Sequence, residues 1–144
     1  MPYDQQNPFA RILRDELPSI RIYEDEHTVA MMDIMPQAEG HVLVLPKEPA
    51  AELFELSEDA AAAAIRTARK VAIAVKAALN PPGMMIAQLN GAASGQTVPH
   101  VHFHVIPRHD GIPLKIHAAE RADLDELRVL AGRIKAELDK PASA

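Results

Sequence analysis

Three histidines at alternate positions, His100, His102 and His104, are interleaved with Val101, Phe103 and Val105. Successive side chains of an extended chain point to opposite faces, so this spacing sends three imidazoles to one side and three apolar groups to the other. Neighbouring imidazoles disfavour each other's charged form, so at least one of the three is neutral and nucleophilic at pH 7. A neutral imidazole can attack phosphorus, and a neighbour holding a proton can assist an amine or phosphate leaving group without a metal. Just upstream, Gly91, Ser94, Gly95, Gln96 and Thr97 form a loop whose amides can approach an anion closely, with Gln96 and Thr97 adding side-chain donors. Phosphate beside imidazole is the chemistry these residues suggest.

Two other readings of the same spacing stay open. His-X-His on a strand is a common pair of zinc ligands, with a third available from His104, His41 or His109. A His-rich strand face can also be merely solvated, or its rings satisfied by backbone partners. His27, His109 and His117 lack close histidine partners of this kind and read as ordinary surface or core residues.

The elements that must position these groups fit one domain. A chain of 144 residues is long enough for a real core and short for two independent units. Hydrophobic residues at 48% and charged residues at 24% are those of a folding globular chain. A net charge of -5 argues against a broad DNA- or RNA-tracking surface and leaves room for a local nucleotide pocket. Without cysteine there is no disulfide framework or thiolate metal site, and the start Met-Pro-Tyr-Asp lacks a signal-peptide layout, so a cytoplasmic location is expected. The Ala-rich tract Asp59 to Leu79 carries Arg66, Arg69, Lys70 and Lys76 and does not read as a membrane span.

Asn7-Pro8 predicts a helix start, with Phe9, Ile12, Leu13 and Leu17 at helical spacing up to Pro18. Alternation around Ile20, Ile22, Val29 and Met31 predicts two antiparallel strands about a turn at Asp25-Glu26. Pro36 to Gly40 reads as a turn, and His41 to Pro46 as a strand. Ser57 caps the longest predicted helix, with Ile65, Ala68, Ala72, Val75 and Leu79 along one side. Asn80 to Gly83 breaks it, Met84 to Leu89 reads as a strand paired with the histidine strand, and a last helix is expected over 122–138 before a fraying tail. Hairpins rather than strand-helix-strand units favour an α+β fold, an antiparallel sheet of about five strands with helices packed on it. Val101, Phe103 and Val105 then face the core, and the three histidines face a cleft.

The stretch His100-Val-His-Phe-His-Val-Ile106 matches the pattern of the histidine triad family, and its flanks Gly95-Gln-Thr-Val98 and Pro107-Arg108 resemble that family too. The resemblance continues through Phe9 to Pro18, Ile22 to Asp25, Asp33 to Gln37 and Gly40 to Lys47, about residues 8 to 110. It implies a single domain over 1–144 with a helical extension at about 118–144, a homodimer, and a purine nucleotide cleaved at its α-phosphate through a nucleotidyl-histidine. In that picture His102 is the nucleophile and His104 contacts the phosphate and assists the leaving group. His100 and His41 orient and polarise the nucleophile. Asn90, Gly95, Gln96 and Thr97 lie on the phosphate side, Asp33 accepts from the ribose hydroxyls, and Ile34, Phe9, Ile12 and Leu43 line a base slot. No cofactor or metal is implied. Pro8 to Arg11 lack the cysteine pair with which many bacterial members bind zinc. The flanks of the triad resemble the dinucleoside polyphosphate hydrolase branch, and the N-terminal half the phosphoramidase branch. The final helix is expected to cover the dimer contact or the cleft.

Overall fold

The computed structural model describes residues 2–114 and 121–140. His117 and the terminal Pro-Ala-Ser-Ala lie outside them, as do the first residues of the expected extension. Helix α1 (Pro8–Leu13) starts where Asn7 Oδ1 accepts from the Ala10 amide at 2.9 Å, with Pro8 in its first turn. It is shorter than the spacing predicts. Arg14 caps it and Asp15 takes a positive φ of 62°, so Leu17 lies beyond the helix.

Strands β1 (Arg21–Glu24) and β2 (Thr28–Met32) form the expected hairpin. Its turn is closed by Asp25 Oδ1, which accepts from the amides of His27 and Thr28. Strand β3 (Val42–Pro46) begins one residue after His41. Gly40, at φ 88°, provides the positive-φ corner, and a Cβ there would run into the Leu79 side chain.

Helix α2 (Glu58–Leu79) is capped by Ser57 and ends at Asn80 in the left-handed conformation. Its buried face is Ala64, Thr67, Ala68, Val71, Ala74 and Val75. Ile65 is half exposed and Ala72 only partly buried, because in an Ala-rich helix small residues pack closest to the sheet. Strands β4 (Gly83–Gln88) and β5 (Phe103–Arg108) complete an all-antiparallel sheet in the order β1-β2-β3-β5-β4. Among the described residues the fold is therefore the expected α+β one, five strands with three α-helices.

The third helix, α3 (Leu124–Leu138), is capped by Asp123 and packs on α2 and β1. Leu127, Ala131 and Ile134 join Ile22, Ala30, Met32, Val44 and Val105 in the core on one face of the sheet. Leu124, at the start of this helix, is exposed at 43%. Phe9, Met31, Leu43 and Leu45 pack on the opposite face with Ile12 and Val98. Helix α3 thus does not cover the cleft, which opens on that opposite face. No described helix is long and apolar enough to cross a membrane.

Candidate active site

The three triad histidines do not share one strand face. Strand β5 starts only at Phe103, and the Val101 amide bonds instead to the Ala50 carbonyl. His100, in the bend before β5, has a fully buried ring whose Nε2 donates to the Pro46 carbonyl at 2.8 Å. Its Nδ1 therefore accepts, and the Tyr3 hydroxyl donates to it at 2.5 Å. Burial pushes the His100 pKa from 6.5 down to about 4, so the ring is neutral.

His102 Nδ1 lies 2.7 Å from the carbonyl oxygen of His100. A carbonyl only accepts, so the His102 proton sits on Nδ1 and the lone pair on Nε2. Burial lowers this pKa as well, against the pull of the carbonyl, and the His102 ring is neutral at pH 7. Phe9 meets its ring edge to face, 4.8 Å between centroids.

His41, completely buried, accepts from the Gln37 amide through Nδ1 at 3.0 Å. Its proton is then on Nε2, which donates to His104 Nδ1 at 2.9 Å, and neutral His104 carries its own proton on Nε2. Asp33 Oδ2 stands 3.5 Å from His41 Nδ1, while Oδ1 accepts from the Met35 amide. His41 thus bonds to His104, and His100 meets His102 through its backbone carbonyl. The network places a lone-pair imidazole 4.9 Å, centroid to centroid, from one bearing an N–H.

Both rings line a cavity of about 480 Å³. Phe9, Ile12, Asp33, Ile34, Leu43, Gly95 and Thr97 line it too, as the sequence predicts. Asn90 and Gln96 do not. The Asn90 amide bonds to Leu53 N and Gln88, and the Gln96 amide bonds to Gly91 N, Ala51 O and Val98 O. They brace the loop that carries Gly95 and Thr97. Met31, Val98, Leu17 and Arg121 also line the cavity and were not found from sequence. Met31 stands opposite Leu43 and could have been found from the β2–β3 register, whereas nothing local marks the loop residue Val98, nor Arg121 or Tyr3. His109 borders a separate open depression with Arg108 and Gly83.

Asp33, His41 and His104 bring ligand-type atoms within 4.8 Å of one another. His41 nevertheless meets Asp33 through Nδ1 and His104 through Nε2, on opposite sides of its ring. In this arrangement the His41 ring is held from both sides, by the Gln37 amide at Nδ1 and by His104 at Nε2.

A family model described as HIT domain matches residues 14–111. The adenosine 5'-monophosphoramidase of Saccharomyces cerevisiae is 34% identical over 138 residues, covering 91% of this chain and 82% of its own. Among solved structures, a Hit-like protein of Bartonella henselae described as involved in cell-cycle regulation superposes with a TM-score of 0.90 at 42% identity, covering 95% of this chain and 99% of that one. A zinc-bound histidine triad family protein of Mycobacterium smegmatis gives a TM-score of 0.81 at 33% identity, covering 93% and 94%.

Proposed function

The chain belongs to the histidine triad family, and on that premise we propose that it binds a purine nucleotide and hydrolyses a bond at its α-phosphate through His102. The observation that carries this reading is the bond from His102 Nδ1–H to the His100 carbonyl, which leaves the Nε2 lone pair of a cleft-lining ring for attack. His102 Nε2 forms a bond to phosphorus, the bond from phosphorus to the leaving group breaks, and the departing atom, held by a hydrogen bond from His104 Nε2–H, takes up a proton from solvent. Water then attacks the phosphorus of the nucleotidyl-histidine, releases a proton to solvent, and frees the nucleoside monophosphate and neutral His102.

Asp33, fixed by the Met35 amide, would accept from the ribose hydroxyls. Phe9, Ile12, Ile34 and Leu43 offer an apolar slot to the base, and the Thr97 amide offers a donor to the phosphate beside Gly95, whose own amide bonds to the Ala92 carbonyl. Asn90 and Gln96 serve the phosphate side by holding that loop in place. The yeast relative's name favours a nucleoside phosphoramidate, and the triad flanks keep a dinucleoside polyphosphate as the second candidate. A homodimer and a cytoplasmic location complete the reading.

The test is release of AMP from adenosine 5'-phosphoramidate and from a diadenosine polyphosphate, with EDTA present, by wild type and His102→Ala. Turnover by wild type alone, unchanged by EDTA, is expected, and the preferred substrate assigns the branch. Nucleotide binding without turnover of either substrate would make the chain a binding module.

A further inference from the structure

Helix α1 and the segment before it touch two triad histidines at once. Phe9, in the first turn of α1, packs on His102, and Tyr3, before the helix, reaches His100 through its hydroxyl with the rings 5.7 Å apart. One buried residue joins the two contacts. Asn7 caps α1 through Oδ1, while its amide and Nδ2 both donate to the Asp4 carbonyl, at 3.2 and 2.8 Å. Arg14 adds a bond to the Gln5 carbonyl at 2.7 Å. Residues 3 to 14 are therefore a braced unit laid across the start of β5.

We infer that Tyr3 is a positioning residue of this centre: its hydroxyl and the Pro46 carbonyl grip the His100 ring at both nitrogens and so hold the His100 carbonyl against His102 Nδ1. The inference rests on the proposed role of His102. A ring secured at Nε2 alone can pivot about that bond, and the backbone of residue 100 moves with it. The consequence for His102 is chemical, because its lone pair stays on Nε2 only while Nδ1–H has an acceptor. Tyr3 keeps its proton for this donation, since burial raises its pKa above 10.0. Its distance along the chain, 97 residues from His100, means that only the fold brings the two together.

The experiment compares wild type, Tyr3→Phe and the exposed-site control Gln5→Ala. Steady-state kinetics on adenosine 5'-phosphoramidate are combined with imidazole 15N shifts, which report the tautomer of each ring whether or not the protein turns over. Tyr3→Phe keeps the ring and the fold and removes only the hydroxyl. Its kcat is expected to fall about tenfold, the effect of one hydrogen bond, with KM within twofold of wild type, and His102 is expected to shift from the pure Nδ1–H form to a mixture. Gln5→Ala is expected to match wild type in both. A pure Nδ1–H His102 in Tyr3→Phe would overturn the inference, whatever happened to kcat. If wild type turned over neither substrate, the proposed reaction would fail, and the tautomer comparison alone would still decide the role of Tyr3.

Discussion

Leu43 on β3 stands directly opposite His104 on β5 in the antiparallel ladder. Cross-strand partners hold their Cβ atoms about 5 Å apart, so the base slot and the phosphate-side histidine are spaced by sheet register, not by loop geometry. Leu43→Ala is expected to cost about 2–5 kcal/mol of stability, as a buried Leu truncation does. It should raise KM for adenosine substrates more than it lowers kcat. Denaturant titration and steady-state kinetics check both, and an unchanged KM would remove Leu43 from the slot.

The His100 ring binds no proton until about pH 4, whereas in the unfolded chain it takes one up near 6.5. Between these values the unfolded state holds more protons, so stability rises with pH. This contribution is complete above 6.5 and is lost as pH falls toward 4, by about 3 kcal/mol for such a shift. Urea unfolding at pH 7 and pH 4.5 should show the loss, and His100→Gln should flatten it. His102 must be neutral to attack, and its pKa lies below 6.5, so kcat/KM should stay level through 6.5 and decline only at more acid pH. An acid limb at or above 6.5 would contradict a buried, neutral nucleophile.

The His41–His104 bond assigns a proton to the leaving-group side. Removing it through His41→Phe should matter most when the departing atom is strongly basic. With alkyl amine phosphoramidates the expected loss in kcat is about tenfold, the effect of one oriented hydrogen bond, and with a polyphosphate or weakly basic aryl amine about twofold. Rates across a series of amines of different basicity provide the check. An equal loss for all leaving groups would return His41 to a purely structural role.

Ile134 on α3 is fully buried on the sheet face away from the cleft. Ile134→Ala should lower stability by about 2–5 kcal/mol while leaving kcat and KM of the folded protein within twofold. Calorimetry beside kinetics at a temperature well below the transition separates the two effects.

The hairpins, the long helix and the pairing of β4 with β5 were legible because apolar period and turn residues act locally. His102, just before β5, His104 on it, Asp33 just after β2 and the apolar wall line one cavity, as the family pattern implies. His100 was misplaced because strict alternation assumes a continuous pleat, and the chain before Phe103 bonds to Ala50 and not to a ladder partner. The side-chain donors of Gln96 and Asn90 were assigned to a phosphate because sequence cannot reveal that the neighbouring backbone claims them first. The stripe on α2 rotated from Ile65 to Ala64 because, among so many alanines, hydrophobicity alone does not select the closest-packing side. Tyr3 carried no signal, being joined to the centre only by tertiary structure.

In the sheet order β1-β2-β3-β5-β4, the strand inserted beside β3 is the last one made. As the chain leaves the ribosome, β1, β2 and β3 can pair at once, yet the outer edge of β3, Val42 to Val44, keeps its hydrogen-bonding groups unsatisfied until Phe103 to Val105 arrive. His41 likewise waits for His104, so no nascent chain shorter than β5 contains the reactive pair. That interval exposes an apolar strand edge of the kind that joins chains to one another. Slowed synthesis or truncation between α2 and β5 should therefore produce aggregated chains, not weakly active ones.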